Sequence, residues 1–323
     1  MTDATGTAAT PQIVSADGVF AAADRLDGIA VRTPLIESPL LNEKIGGRVL
    51  LKAEALQHYG SFKIRGAYNL MAQLPEETRA RGVVAWSSGN HAQGVAYAAR
   101  LLGCPATIVM PADAPAVKRD NVLALGAEIV PYDRYTEDRE AIARDIAAAD
   151  ARALAPSYDH PHVIEGQGTV ALETFEQASA LGVELDGFIA CCGGGGLAAG
   201  CATILEAISP GTEIFIAEPE GYDEFWASIK EGERQVADVS RPTLCDAIAT
   251  PTPGALTLPI LARRCVGGAS LSDQEVAEAM AFAFNTLKIV IEPGGAVALA
   301  ALPPERVAAT VLPRASIFPV SKA

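Results

Sequence analysis

The chain has 323 residues, of which 50% are apolar and 6% aromatic, so its core is predicted to consist of small aliphatic side chains. This length is enough for two domains, or for one large α/β domain with an additional lobe. The formal net charge of −14 argues against nucleic acid or an anionic membrane as the main partner.

The cysteines and the apolar segments predict a reduced cytoplasmic protein. The six cysteines form no Cys-x-x-Cys pair, and no basic region followed by an apolar stretch suggests a signal peptide. Residues 187–205 carry no charge and are numerous enough to span a membrane. Because this segment contains six glycines, it is instead predicted to form a strand, a loop and a buried helix.

After a polar lead at residues 1–16, short β-branched runs alternate with alanine-rich helical periods. This alternation is typical of βαβ units and a mostly parallel sheet. The first distinct helix is predicted from about Lys63 to Leu74, with Ser61 as a candidate N-cap. Further strands are predicted at 82–86, 106–110, 128–132, 187–192 and 213–217, and helices at 91–102, 117–125, 136–149, 165–181 and 197–208.

These elements predict an α/β fold with two doubly wound lobes, mostly parallel sheets and a ligand in the cleft between the lobes. Residues 82–151 would form the smaller lobe, and residues 1–81 and 152–323 the larger one. Ligands of such sheets bind at the carboxyl ends of strands, where the strand order reverses.

Lys63 lies at the predicted start of a helix, between Phe62 and Ile64. The positive end of the helix dipole and an apolar ring both disfavour the ammonium form, so the pKa of Lys63 is expected to be low. The free amine is the form that makes Schiff bases. The alternative, a solvated surface lysine, is the more common role for a lysine taken alone.

Four consecutive glycines at 193–196 separate a predicted strand from a predicted helix. Backbone amides without side chains can turn inward and bind a phosphate, aided by the helix dipole. The alternative, a tight turn, requires only one or two glycines. No Gly-Lys-Ser/Thr follows, which excludes a Walker loop, and no ribose-binding acid lies at the spacing of a dinucleotide fold.

A third polar segment, residues 87–91, follows the strand that ends at Trp86 and reads Ser-Ser-Gly-Asn-His. Its hydroxyls, amide and free backbone N–H groups suit a carboxylate and a ring hydroxyl, whereas an ordinary N-cap needs only one such residue. A histidine such as His91, taken alone, is more often structural than catalytic, and the sequence shows no Ser-His-Asp arrangement that would include it. One ligand with an aldehyde and a phosphate would use all three segments, and pyridoxal phosphate is that ligand.

The segments 60–67, 87–94, 191–197 and 291–296 resemble motifs of the fold-type II pyridoxal-phosphate family of serine/threonine dehydratases and serine racemases. The resemblance runs from about Ile29 to Leu302. It implies that Lys63 forms a Schiff base with the cofactor and later moves the α-proton. It also implies cofactor contacts for Phe62 and Asn90, and phosphate contacts for Gly193, Gly194, Gly195, Gly196 and Leu197.

By the same resemblance, Ser87, Ser88, Asn90 and His91 would bind the substrate carboxylate. Arg139 matches a position that can approach an acidic substrate, although a solvated arginine is an equal alternative. Biosynthetic threonine dehydratases usually have alanine where this chain has Ser88, whereas racemases have serine as a second acid/base opposite the lysine. Hydroxyaspartate dehydratases share this pattern, so Ser88 does not decide between elimination and racemisation.

The acidic loop that follows the strand at 213–217 is a candidate cation site. The resemblance implies that Mg²⁺ or Ca²⁺ is bound by Glu218, the carbonyl of Tyr222 and Glu224. The family usually has aspartate at the last position, so Asp223 is an alternative ligand. A solvated acidic loop without a metal is the other interpretation.

The C-terminal end departs most from the family, because Lys322 and Ala323 replace the glycines of a Ser-Gly-Gly-Asn ending. Ser321 is the predicted partner of the pyridine nitrogen, and Ser316 is the second candidate. A neutral hydroxyl there would leave the ring nitrogen unprotonated, which favours prompt loss of a β-hydroxyl.

The predicted reaction is pyridoxal-phosphate-dependent β-elimination of water and ammonia from a 3-hydroxy amino acid, by default L-serine or L-threonine, giving a 2-oxo acid. Racemase side activity is compatible with it. The alternatives are dehydration of 3-hydroxyaspartate to oxaloacetate, for which Arg139 or His91 could face the second carboxylate, and serine racemisation.

A cysteine-synthase type of β-replacement is disfavoured by the Ser-Ser-Gly-Asn-His segment. A non-catalytic ligand-binding relative is favoured only by the altered ending. The family leads us to expect a homodimer.

Overall fold

The computed structural model describes residues 13–302 and the strand at 315–319. The strands in this part of the chain belong to two sheets. In chain order they are β1 Leu35–Glu37, β2 Arg48–Lys52, β3 Val83–Trp86, β4 Ala106–Pro111, β5 Glu128–Tyr132, β6 Ala153–Leu154, β7 Gly187–Cys191, β8 Glu213–Pro219, β9 Cys265–Leu271 and β10 Ala315–Pro319.

The helices alternate with these strands over most of the described chain. They are α1 Ala16–Leu26, α2 Pro39–Ile45, α3 Lys63–Ala72, α4 Glu76–Arg81, α5 Asn90–Leu102, α6 Ala116–Ala124, α7 Arg139–Ala149, α8 Pro161–Ala180, α9 Gly196–Ile208, α10 Glu224–Glu231, α11 Thr257–Arg264, α12 Asp273–Phe282 and α13 Pro293–Ala300. Short 3-10 turns at Glu54–Leu56 and His58–Gly60 lead into α3, and a π-helical turn, Ala283–Leu287, follows α12.

The larger sheet has the strand order β1-β2-β10-β7-β8-β9, and only the β1–β2 pair is antiparallel. The smaller sheet has the order β5-β4-β3-β6 and is parallel throughout. The predicted α/β architecture with two mostly parallel sheets is therefore confirmed. The domain boundary at residue 151 stays a prediction, and β6 at Ala153–Leu154 belongs to the smaller sheet.

The strand sequences are apolar because the central strands are covered on both faces. Every residue of β4 and of β7 is buried, as expected for parallel strands with helices on either side. Two main cores result, one around each sheet. The uncharged segment 187–205 is β7, a loop and the buried part of α9, as predicted. Within the described residues, no helix is long and apolar enough to cross a membrane.

Helix α9, which follows the tetraglycine loop, packs closely against α8. A Cβ on Gly200 would lie 2.1 Å from the carbonyl oxygen of Ile164, so only glycine allows this approach. On the other face of α8, Arg65 of α3 is fully buried and pairs with Glu54 at 2.9 Å and Glu173 at 2.6 Å. Lys52 joins the network through Glu173 at 2.6 Å. These contacts fix the position of α3.

The starts or caps of three helices differ from the prediction, and at two of them a side chain forms the cap. Ser61 is not the N-cap of α3, because the helix begins one residue later, at Lys63, with Phe62 in the cap position and no side-chain cap bond. Helix α7 begins at Arg139, not at residue 136, since Asp138 accepts from the backbone N–H groups of the first turn. Helix α8 begins at Pro161, four residues earlier than predicted, and is capped by His160.

Candidate active site

The predicted cofactor and substrate residues meet in one cavity of about 340 Å³. Its wall is formed by the start of α3 and by the loops that follow β3 and β7, at the carboxyl ends of these strands. It includes the following predicted residues: Phe62, Lys63, Ser87, Ser88, Asn90, His91, Arg139, Gly193, Gly194, Gly195, Gly196 and Leu197. The loop that contains Glu218 and Glu224 lies elsewhere.

Lys63 is held in the cavity wall as a weakly basic amine. Its Nζ donates to the carbonyl oxygen of Ser157 at 3.0 Å and lies 5.2 Å from the centre of the Phe62 ring. Burial disfavours the ammonium and lowers the pKa of Lys63 to about 8, although Cys191 and Glu292 act in the opposite direction. The low pKa predicted for Lys63 is found, and its main cause is burial.

The tetraglycine loop has no room for side chains. A Cβ on Gly194 would lie 2.4 Å from the ring of Tyr158, and one on Gly193 would lie 2.7 Å from the carbonyl oxygen of Ile248. Gly195 has φ +87, which disfavours other residues as well. Helix α9 begins at the next residue, so the first N–H groups of the helix lack intrahelical partners beside the cavity. A glycine cradle at a helix N-terminus fits the phosphate of pyridoxal phosphate.

The Ser-Ser-Gly-Asn-His segment forms the mouth of α5. The Ser87 hydroxyl accepts from the backbone N–H of Gly89 at 3.1 Å, which shapes the turn. Asn90 is the first residue of the helix, and its Nδ2 donates to Glu292 at 2.5 Å. The second Nδ2 hydrogen can serve a ring oxygen of the cofactor. The Ser88 side chain lines the cavity and can reach a ligand.

His91 lies in the cavity wall as a neutral imidazole. Its Nε2 lies 2.8 Å from the carbonyl oxygen of Ala155, so this nitrogen carries the proton and donates. Burial and the nearby Lys63 lower the pKa of His91 to about 3. A neutral ring does not supply charge for a second substrate carboxylate, which leaves Arg139 as the cationic candidate of the two.

Glu292 is a site residue that the sequence analysis did not assign. It is buried, occupies the N-cap position of α13 and contacts Asn90 across the cavity. It also raises the pKa of Lys63 against the effect of burial. The sequence did contain an indication of this position. An acidic residue that follows an apolar, strand-like run and precedes Pro-Gly-Gly is typical of a helix start.

The acidic loop contains two buried carboxylates. Glu218 accepts from the backbone N–H groups of Phe225 and Trp226, each at 2.9 Å, at the start of α10. Both side-chain oxygens of Glu224 are buried without a hydrogen-bond partner among the described residues. Burial raises the pKa of Glu224 to about 7 and that of Glu218 well above its usual value. Both carboxyl groups are therefore shielded from solvent.

No set of three or more His, Cys, Asp or Glu side chains in the described ranges could bind a metal. A cation at this loop would therefore depend on backbone carbonyls or water for its remaining ligands. The hydroxyl of Tyr222 donates to the carbonyl oxygen of Arg241 at 2.9 Å, so only the backbone carbonyl of Tyr222 is a candidate ligand. Asp223 precedes α10 as its N-cap residue.

The two predicted partners of the pyridine nitrogen differ in their placement. Ser316 lies in β10, which pairs with β2 and β7 in the larger sheet. Ser321 lies outside the described residues. The assignment of either hydroxyl to the cofactor stays a prediction.

Known proteins are similar to this chain over most of its length. The model of the family described as "Pyridoxal-phosphate dependent enzyme" matches residues 26–319. The chain is 44% identical to the L-threo-3-hydroxyaspartate ammonia-lyase of Pseudomonas sp over 90% of both chains. It is 38% identical to the serine racemase of Schizosaccharomyces pombe, over 88% of this chain and 87% of the relative.

Among solved structures, a threonine deaminase of T.th. is similar, with a TM-score of 0.89 and 40% identity over 96% of this chain and 98% of that one. The matched region of the family model includes Lys63, the tetraglycine loop and the Glu292 segment. The chain therefore belongs to the family of pyridoxal-phosphate-dependent enzymes.

Proposed function

We propose that the protein catalyses β-elimination of water and ammonia from a 3-hydroxy amino acid, giving a 2-oxo acid. The observation that supports this most strongly is the position of Lys63, a weakly basic amine that shares one cavity with the glycine cradle. Two of the similar proteins named above are an ammonia-lyase and a deaminase of hydroxy amino acids, which supports the same reaction. Bound pyridoxal phosphate supplies an aldehyde for amines and a ring that delocalises negative charge from Cα.

In this proposal Lys63 first binds the cofactor and then acts as the base. With a pKa of about 8, about a tenth of the Lys63 side chains are uncharged at pH 7, against fewer than about one in a thousand for an ordinary lysine. Once the cofactor carries the substrate, the Lys63 amine would be free to take the α-proton. The carbonyl oxygen of Ser157, 3.0 Å from Nζ, keeps the amine in the cavity wall.

The segment at the mouth of α5 would orient the substrate. Its hydroxyls and the free N–H groups at the helix N-terminus bind the α-carboxylate, and this attachment presents the Cα–H bond to Lys63. Asn90, held by Glu292, and Phe62 would contact the cofactor ring. Gly193 to Leu197 would bind its phosphate.

Racemisation is the second candidate function. Ser88 lines the same cavity, and the racemase of Schizosaccharomyces pombe is a 38% identical relative. A hydroxyl on the face opposite Lys63 could return a proton to Cα, whereas elimination does not require a proton donor to Cα on that face. We therefore propose elimination as the main reaction and racemisation as a side reaction.

Three substrates are candidates: L-serine, L-threonine and 3-hydroxyaspartate. The relative from Pseudomonas sp is named for hydroxyaspartate. In this chain Arg139 lines the cavity, and among the described residues no carboxylate lies within 4.0 Å of its guanidinium. An arginine without an acidic partner supports a substrate with a second carboxylate.

The test of this function is release of 2-oxo acid by the holoenzyme from L-serine, L-threonine and each hydroxyaspartate isomer. Ammonia should appear in equal amount, and the D and L forms of residual serine should be separated by chiral chromatography. Dominant formation of D-serine with little 2-oxo acid would make racemisation the main function. Absence of both products with every substrate would favour a non-catalytic relative.

We further propose that Mg²⁺ or Ca²⁺ binds Glu218, Glu224 and the Tyr222 carbonyl. The unpartnered, buried oxygens of Glu224 support this, since a cation would compensate their charge. Either ion should raise the Tm of the wild-type holoenzyme, and Glu224→Gln should abolish the increase. Glu231→Gln, at the exposed end of the same helix, is the matched control and should retain it. Equal Tm increases in both variants would contradict the site.

The remaining proposals concern assembly, location and domains. We propose a cytoplasmic homodimer, in agreement with six free cysteines, five of which are buried. Light scattering of the purified holoenzyme tests the dimer. We propose residues 82–151 as the smaller domain, extended to β6 by the pairing of Ala153–Leu154 with β3. Ser321 remains the proposed partner of the pyridine nitrogen.

A further inference from the structure

Two arginines reach the cavity from different parts of the fold. Arg139 is the first residue of α7, which packs against β3 of the smaller sheet. Arg234 lies in the segment between α10 and α11, beside the larger sheet, and also lines the cavity. Its Nη2 donates to the carbonyl oxygen of Pro253 at 2.6 Å. Arg234 is exposed, and this bond orients its guanidinium.

The carboxylates of the cavity wall are already engaged with other groups. Among the described residues, none of them lies within 4.0 Å of either arginine. Two of them form ion pairs: Glu140 with Arg144 at 3.5 Å, and Asp246 with Lys118 at 3.1 Å. Glu292 accepts from the side-chain amide of Asn90 at 2.5 Å. Asp159 accepts from the backbone N–H groups of Ala255 at 2.9 Å and Leu256 at 2.8 Å.

The absence of a carboxylate beside either arginine, within the described part of the chain, contrasts with the composition of the whole sequence, which has 39 acidic and only 25 basic residues. In so acidic a protein, Arg139 and Arg234 both bring positive charge to the wall of one cavity, where an anionic group of a ligand can reach them. An arginine fork matches the geometry of a carboxylate, so an anionic group of the ligand is the natural partner.

Tyr158 connects the arginines with the phosphate cradle. Its ring packs on the glycine loop, where a Cβ on Gly194 would approach it to 2.4 Å. Burial raises the pKa of Tyr158 to about 12, and the nearby Glu140 and Asp159 raise it further, whereas Arg139 and Arg234 act in the opposite direction. Arg139 and Arg234 therefore lie on the same side of the cavity, near the ring of Tyr158.

We propose that Arg234 acts together with Arg139 to bind the second carboxylate of an acidic amino acid substrate, so that Arg234 is a specificity-determining residue. This inference rests on the proposed function of the same site. The α-carboxylate would lie at the mouth of α5 and the side-chain carboxylate between the two guanidinium groups. The site would then prefer 3-hydroxyaspartate over L-serine.

The first test compares kcat/KM for 3-hydroxyaspartate with kcat/KM for L-serine. Arg234→Gln should lower this ratio tenfold or more, because a charged hydrogen bond to the distal carboxylate is lost. Arg139→Gln should have a similar effect. Arg263→Gln is the matched control, since Arg263 is exposed and pairs with Glu206 away from the cavity. An Arg234→Gln ratio equal to that of the control overturns the inference, and the elimination activity of the wild type would still stand.

The second test does not depend on turnover. Malonate, a dicarboxylate, should raise the Tm of the wild-type holoenzyme more than acetate does at the same concentration. Arg234→Gln should remove this difference, whereas Arg263→Gln should keep it. If malonate and acetate give equal shifts in the wild type, the subsite does not exist. A malonate-specific shift without any 2-oxo acid from the substrates would retain the subsite and reject the proposed reaction.

Discussion

The surroundings of Lys63 make its amine reactive near neutral pH. Burial is the main cause of the low pKa of this side chain, because it removes the water that stabilises an ammonium. The sequence indicated the direction of the shift through Phe62 and the helix start. It could not indicate the carbonyl of Ser157, because that contact joins residues 94 positions apart.

The pKa of Lys63 predicts how the apoenzyme reacts with pyridoxal phosphate. Only the free amine attacks the aldehyde, so the reconstitution rate should rise about tenfold per pH unit below the pKa and level off above about 8. Visible absorbance of the bound cofactor follows the reaction. Free Nα-acetyl-lysine is the control, and its rate should continue to rise up to about pH 10. A protein rate that rises over the same range would contradict the low pKa.

Ser88 should affect racemisation more than elimination. Its hydroxyl lines the cavity with Lys63, and only racemisation needs a second proton donor on the opposite face. In Ser88→Ala the rate of D-serine formation should fall tenfold or more relative to the rate of pyruvate formation from L-serine. Chiral chromatography and a 2-oxo acid assay on the same sample measure both rates. Equal losses of the two activities would refute the assigned role.

At the scale of single elements, the glycine loop after β7 shows how a turn becomes a binding site. Four glycines predicted a phosphate cradle, and the structure adds the reason why they cannot be replaced. Tyr158, Ile248 and Phe225 all approach the loop backbone so closely that a Cβ would clash. The loop therefore lies tightly between neighbouring elements, with its N–H groups at the start of α9.

Gly194→Ala should weaken cofactor binding without unfolding the protein. The added Cβ would lie 2.4 Å from the Tyr158 ring, so the loop or the ring must shift. The Kd for pyridoxal phosphate, measured by fluorescence titration of the apoenzyme, should rise tenfold or more. Gly211→Ala is the control, since a Cβ added there would have no neighbouring atom within 4 Å, and it should bind the cofactor as the wild type does. An unchanged Kd in Gly194→Ala would show that the cradle tolerates a side chain.

Strands and helices were predictable where periodicity is strong, and less so at their ends. Strand β5 has the predicted bounds, because its apolar run is flanked by clear turn residues. Helices α7 and α8 begin elsewhere because Asp138 and His160 form caps that compete with the periodic pattern. The contact of Asn90 with Glu292 was not predictable, since it joins residues 202 positions apart.

At the scale of the whole molecule, a buried ion network supports the site. Arg65 is fully buried and connects α3, which begins with Lys63, to Glu54 and to Glu173 of α8. A buried charge that loses its partner is costly, whereas an exposed pair contributes little. The position of Lys63 thus depends on charges outside the cavity.

Arg65→Met should lower the free energy of unfolding by about 3–5 kcal/mol, because the buried Glu54 would lose its ionic partner and Glu173 would keep only Lys52. Urea unfolding followed by circular dichroism measures the change. Arg32→Met removes an exposed pair with Glu176 and should cost less than about 1 kcal/mol. Similar stability of the two variants would show that the network does not hold α3.

The sequence predicted which segments converge on the site, because parallel sheets bring the carboxyl ends of their strands together. It did not predict Arg234, because the segment that contains this residue shows no helical or strand periodicity. Only the folded structure shows that Arg234 lines the cavity. The same holds for Tyr158, which precedes α8 and reaches the glycine loop only in the folded protein. Sequence periodicity identifies site residues at the ends of strands and helices. It does not identify residues that irregular loops place in the cavity.

The central claim is that Lys63 performs the proton transfer of an elimination reaction. The most direct measurement is release of 2-oxo acid and ammonia from 3-hydroxy amino acids by the wild-type holoenzyme and by Lys63→Ala, each supplied with pyridoxal phosphate. We expect equal amounts of the two products from the wild type and none above background from the variant. Undiminished release by Lys63→Ala, or no release by the wild type, would contradict this claim.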